Sequence, residues 1–136
     1  MEDFVPYELA VKLKEKGFTC KYPFAMYDEV GIFYELYTSA GYTQYYDYRD
    51  FDEHNYIAPT ISQVLKWLRE EKKISIEVGI HCSLKWVCGV YEFSSDGIAD
   101  FTQYNNNGID DTVYILYDSY ELAALAGIEY CLDNLI

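Results

Sequence analysis

The chain is poor in the residues from which recognisable active sites are most often assembled. Histidine occurs only at His54 and His81, so few side chains are suited to proton transfer near neutral pH. The eight glycines form no run between a strand and a helix, which excludes a phosphate-cradling loop and the nucleotide enzymes built on one. No GxSxG elbow, HExxH pair or kinase signature is present. Cysteine is sparse too: Cys20, Cys82, Cys88 and Cys131 stand apart with no CxxC spacing. Neither a disulfide scaffold nor a zinc ribbon is indicated, and all four thiols are expected to be reduced and buried.

Positive charge is the other shortage. Ten Lys and Arg face 23 Asp and Glu, giving a formal net charge of -13. Long-range repulsion then opposes generic affinity for a phosphate backbone, so no nucleic-acid partner is expected. No apolar run approaches the ~20 residues of a membrane span. The opening MEDFVPYELAVKLKEKGF starts acidic and becomes amphipathic, unlike a signal peptide. A cytoplasmic protein with no membrane partner is the expectation.

What the chain has in plenty is tyrosine, sixteen in all, within a composition that is 51% apolar and 18% aromatic. Such a chain is far from disordered in character. Its 136 residues suffice to bury about two thirds of the unfolded surface, so residues 1–136 read as a single domain.

The most legible stretch is 58–82, APTISQVLKWLREEKKISIEVGIHC. Thr60 is a natural N-cap and Gln63 completes a capping box, while Pro59 blocks helix upstream. Ile61, Val64, Leu65 and Leu68 fall on one stripe, opposite Lys66, Arg69, Glu70 and Lys73. Beyond Lys73 the period becomes two: Ile74, Ile76, Val78, Ile80 and Cys82 alternate with Ser75, Glu77, Gly79 and His81, the pattern of a half-buried strand.

Upstream, residues 6–16 predict a helix opened by Pro6 and stopped by Gly17, with Leu9, Ala10 and Leu13 inward and Phe18 as its C-terminal contact. Residues 22–27 and 32–38 predict a hairpin around Asp28-Glu29-Val30-Gly31, in which Val30 is an awkward turn residue. Downstream, residues 84–93 predict a strand pairing antiparallel with 74–82. Symmetry about Lys85 would set Cys82 opposite Cys88 and Gly79 opposite Tyr91. Turns at 94–97 and 105–108 bracket a strand within 98–104, residues 112–117 form another, and Asp118 with Glu121 caps a final buried helix. The expected architecture is α+β, a mainly antiparallel sheet of about five strands packed against three helices in the order α-β-β-α-β-β-(β)-β-α.

Three segments, FVPYELAVKLKEKGF at 4–18, APTISQVLKWLREEKKISIEV at 58–78 and DSYELAALAGIEYCLDNLI at 118–136, resemble in order and spacing an uncharacterised family of small gut-bacterial proteins associated with phage and other mobile genes. The resemblance covers most of the chain and implies the scaffold. The family has no assigned activity, so it implies no catalytic residues and no cofactor.

The residues themselves offer few reactive sets. His81 beside Cys82 is set aside as a base and nucleophile because adjacent strand residues point to opposite faces. The same alternation splits His81, Cys82 and Cys88 as zinc ligands. Asp96, Asp100, Asp110 and Asp111 lack EF-hand spacing for calcium and read as turn formers. The carboxylate pairs Asp47 with Asp50 and Asp52 with Glu53, which a glycosidase would use, read as an acidic surface. No catalytic residue, metal site or cofactor is expected.

The remaining candidate is the stretch 39–57, SAGYTQYYDYRDFDEHNYI, which has no helical period and reads as a long loop holding at most a short edge strand. Tyrosine buries a large ring at low entropy cost and keeps a polar tip. Tyr42, Tyr45, Tyr46, Tyr48, Arg49 and Tyr56 are the expected binding residues. The function expected is a non-enzymatic cytoplasmic binding or accessory protein whose partner, a protein or a second copy, touches this loop. The alternatives are an acidic mimic of nucleic-acid charge that inhibits a DNA-handling protein, and a hydrolase using loop carboxylates.

Overall fold

A computed structural model describes residues 3–20, 23–35, 54–93 and 115–136, and the backbone of 99–100. It shows an α+β protein with antiparallel strand pairing, as the sequence predicts. Among the described residues the strands divide between two three-stranded sheets instead of forming one, and the chain clusters into two compact units, Met1–Val64 and Leu65–Ile136.

The first unit begins with α1 (Tyr7–Glu15), which buries Leu9, Ala10 and Leu13. Its end shows how local sequence writes local structure. Gly17 adopts φ 83°, which lets its amide reach the Lys14 carbonyl (3.1 Å) and the Phe18 amide reach that of Leu13 (2.9 Å). This is the Schellman pattern, and it turns Phe18 inward, as expected, to only 8% exposure. Strands β1 (Ala25–Tyr27), β2 (Phe33–Glu35) and β3 (Tyr56–Ile57) follow, ordered β2-β1-β3. β1 therefore lies in the middle, Tyr27 opposite both Phe33 and Tyr56. β3 is the short edge strand allowed for at the end of the tyrosine-rich stretch.

The predicted capping box opens α2 (Ile61–Glu71). The Gln63 amide donates to Thr60 Oγ1 (3.2 Å), and the Thr60 amide donates to Gln63 Oε1 (3.0 Å). Ile61, Val64, Leu65 and Leu68 are buried, and Trp67 joins them. Each such side chain contributes roughly 1.5–3 kcal/mol when removed from water. The division between the units falls within this helix, after Val64.

The second unit contains β4 (Ile74–Ile80), β5 (Trp86–Phe93), β6 (Ala99–Asp100) and α3 (Tyr120–Asn134). β4 and β5 pair with Val78 opposite Cys88 and Gly79 opposite Val87. The hairpin is centred on Ser83, two residues before the expected Lys85. Both registers keep the same side chains on the same face, so alternation alone does not choose between them. The last predicted strand, 112–117, contributes a bridge between Tyr117 and Trp86; its residues 112–114 lie outside the described set.

α3 crosses the inner face of β4 and β5. At Gly127 the helix comes so close that an added Cβ would stand 2.9 Å from Ile76 Cγ2 and 3.3 Å from Cys88 Sγ. Its N-cap is Ser119, whose Oγ accepts from the Leu122 amide (3.1 Å), which corrects the expectation of Asp118. Asp118 is drawn away by an ion pair with Lys85, and Glu121 therefore sits one position too early to close a box. The expectation of four buried thiols is also corrected. Cys88 and Cys131 are buried, Cys20 is partly buried and Cys82 is exposed, because Cys82 belongs to a turn and not to β4.

Candidate functional site

In the first unit five of the described aromatic rings form a connected array. Phe4 meets Phe33 edge-to-face at 5.2 Å between centroids, Phe33 meets Tyr27 at 5.6 Å, Tyr27 meets Tyr7 at 5.6 Å, and Tyr7 meets Tyr56 at 5.6 Å. Lys14 then lies 4.8 Å from the centre of the Tyr56 ring and donates to the Asn55 carbonyl (2.8 Å). Edge-to-face pairs are worth about 0.5–1.5 kcal/mol each beyond buried area, so the array holds its rings in fixed places. The buried member is Tyr27, whose hydroxyl donates to the Val5 carbonyl at 2.7 Å. Burial raises the Tyr27 phenol, and desolvation likewise raises that of Tyr7.

Beside this array the β1–β2 hairpin presents apolar side chains to water. Val30 is 71% exposed, Ile32 53%, Phe33 38% and Tyr34 47%. The turn is built to hold them there. Asp28 Oδ1 accepts from the amides of Val30 (3.0 Å) and Ile32 (2.9 Å), and the Tyr34 hydroxyl donates to Oδ2 (3.3 Å). Those bonds, led by the Ile32 amide, hold the Asp28 carboxyl below its ordinary range against partial desolvation. Val30 is tolerated because the left-handed position falls on Gly31, φ 88°. Tyr7 packs across that glycine and donates to the Glu29 carbonyl (3.0 Å). His54 approaches Glu29 at 3.5 Å, both side chains being exposed.

Of the residues expected to bind, Tyr56 is the one described: half-buried in β3 and braced by Tyr7 and Lys14. Tyr42, Tyr45, Tyr46, Tyr48 and Arg49 lie outside the described residues, as do the Asp47–Asp50 and Asp52–Glu53 pairs. Next to Tyr56 is a cleft of about 230 Å³ with largely apolar walls, lined by Ala10, Lys14, Phe18, Asn55 and Ile57 among others. The exposed hairpin residues were not singled out by sequence. A signal was present in VGIFYE, where apolar residues run without the polar alternation a half-covered strand shows.

The second unit corrects one chemical expectation. β4 ends at Ile80, so strand alternation no longer governs His81 and Cys82, and Cys82 Sγ lies 3.6 Å from His81 Nδ1. Cys88 stays apart from them, buried on the sheet face against α3. Among the described residues no group of three or more His, Cys, Asp or Glu side chains is placed to hold a metal ion, and no helix is long and apolar enough to cross a membrane. No protein-family model, curated protein or solved structure matches the chain.

Proposed function

We propose that the protein is a non-enzymatic binding or accessory protein that recognises a protein partner through the β1–β2 hairpin and the tyrosine-rich stretch 39–57. The observation that carries this reading is β2, where all three residues are exposed and Phe33 and Tyr34 continue an apolar run from Val30 through Ile32. Exposed apolar surface rimmed by polar groups is the usual mark of a protein contact. The rings beside it supply the rigid aromatic area that recognition surfaces favour. Tyr56 ties the far end of the tyrosine-rich stretch to the same aromatic array. The net charge of -13 favours a partner whose rim is basic, since complementary charge speeds encounter and excludes wrong partners.

The test is complex formation with a partner obtained by chemical cross-linking, measured for two double variants, Ile32→Ser with Tyr34→Ser and Tyr45→Ala with Tyr46→Ala. Both should weaken the complex at least about tenfold, as loss of central aromatic contacts does, while the far-UV circular dichroism is unchanged. Undiminished affinity in both variants would defeat the reading.

A further inference from the structure

The turn between β4 and β5 brings an exposed thiol and an imidazole together. Cys82 Sγ lies 3.6 Å from His81 Nδ1 and 3.8 Å from Nε2. The same Nδ1 accepts from the Ser83 amide (3.2 Å) and lies 2.9 Å from Ser83 Oγ. Because an amide N–H donates to it, Nδ1 is the unprotonated nitrogen and the neutral ring carries its proton on Nε2. The thiol lies beside a base whose ring Ser83 orients, and a base so held can take a thiol's proton once Nδ1 gives up the Ser83 amide. Two of the other three described cysteines contrast with this. Cys88 and Cys131 are buried, and burial pushes their thiols up to about 11 and about 12, which makes them inert. The turn's remaining charged side chain, Lys85, is paired with Asp118.

We propose that Cys82 is a site of thiol–disulfide exchange, with His81 as its base and low-molecular-weight disulfides, RSSR, as its reaction partners. The Cys82 proton passes to His81 Nδ1, which then no longer accepts from the Ser83 amide and donates instead to Ser83 Oγ. The Cys82 sulfur forms a bond to one sulfur of RSSR while the RS–SR bond breaks. The departing thiolate leaves with the electron pair and takes the proton from the imidazolium, so Cys82 is oxidised to a mixed disulfide and one RSH is released. Exposure at the tip of a hairpin admits a small disulfide, and the modification places a new group where Cys82 and Leu84 face water.

The experiment uses the full chain with oxidised glutathione and with 5,5′-dithiobis(2-nitrobenzoate), following thiol release and locating the adduct by peptide mass. In the wild-type chain the first adduct should form at Cys82, ahead of Cys20, and Cys82→Ser should abolish it. In a Cys20→Ser background, His81→Gln should slow the reaction at least about fivefold, a modest share of what a positioned base supplies. It should also change the pH dependence of the rate, which a histidine with a merely structural role would leave as it is. First reaction at Cys20, or a His81→Gln variant with unchanged circular dichroism, rate and pH profile, would overturn the proposal.

Discussion

Two turns of this protein share one backbone plan and differ in what they do with it. In the first, the Asp28 amide donates to Ile32 O (3.0 Å) and the Gly31 amide to Asp28 O (3.1 Å); in the second, the His81 amide donates to Lys85 O (2.7 Å) and the Leu84 amide to His81 O (2.9 Å). Each leading side chain accepts from the amide two residues on, Val30 to Asp28 Oδ1 and Ser83 to His81 Nδ1. Each fourth residue is left-handed, Gly31 at φ 88° and Leu84 at φ 65°. The first turn obeys the chemistry of its geometry, with Asp as acceptor and Gly where φ is positive. The second breaks it, setting an 84% exposed leucine where glycine belongs and an imidazole where a carboxylate would serve. A turn that departs from its own local rules, and places a thiol beside that imidazole, fits the exchange site proposed for Cys82, whereas the first turn fits a rigid support for its exposed apolar run.

The contrast can be broken most sharply at the left-handed positions. Gly31→Ala should cost about 2–3 kcal/mol. A side chain at positive φ costs about 1–2 kcal/mol, and its Cβ would press on the Tyr7 ring at 3.2 Å, an overpacking that adds to the loss. Urea unfolding monitored by tyrosine fluorescence measures it, and a loss below about 1 kcal/mol would show that Tyr7 is free to yield. Leu84→Gly should act in the opposite sense, stabilising by about 0.5–1 kcal/mol, since relief of the left-handed strain exceeds the entropy lost by ordering glycine. A destabilised Leu84→Gly would mean that the leucine makes contacts its exposure does not suggest.

How far the sequence discloses the fold depends on how local each decision is. The Thr60–Gln63 box, the Gly17–Phe18 stop and the change of rhythm after Lys73 are written within a few residues, and all three are found. Decisions taken between distant residues are not legible. Asp118 and Ser119 are both competent caps, and Lys85, 33 residues away, decides between them. The hairpin centre moves from Lys85 to Ser83 because an even shift leaves every face unchanged. The separation of strands into two sheets depends on β1 pairing with β3 across some thirty residues of chain. At the candidate site, only Tyr56 of the six expected residues lies in the described structure. The His81–Cys82 contact escapes strand reasoning because the strand has already ended.

The smallest effect separates the two turns by the cause of a carboxyl's acidity. Asp28 is held low chiefly by the Ile32 amide, whereas Asp118, behind the second turn, is held low by the Lys85 ammonium. Each carboxyl titrates lower in the folded chain than in the unfolded one. Each therefore lends stability that is present above about pH 4, the unfolded value, and is lost as pH falls through the folded value. Asp28→Asn and Asp118→Asn should each flatten the acid limb of the stability profile, measured by thermal melts between pH 2 and 6. Salt then distinguishes them. At 1 M the screening length is about 3 Å, so the Coulombic share of the Asp118 contribution should shrink and leave only the Lys85 hydrogen bond, while that of Asp28 persists because its partners are neutral donors. A salt-sensitive Asp28 would mean that the first turn, too, is held by charge, and the two turns would then differ only at their left-handed residues.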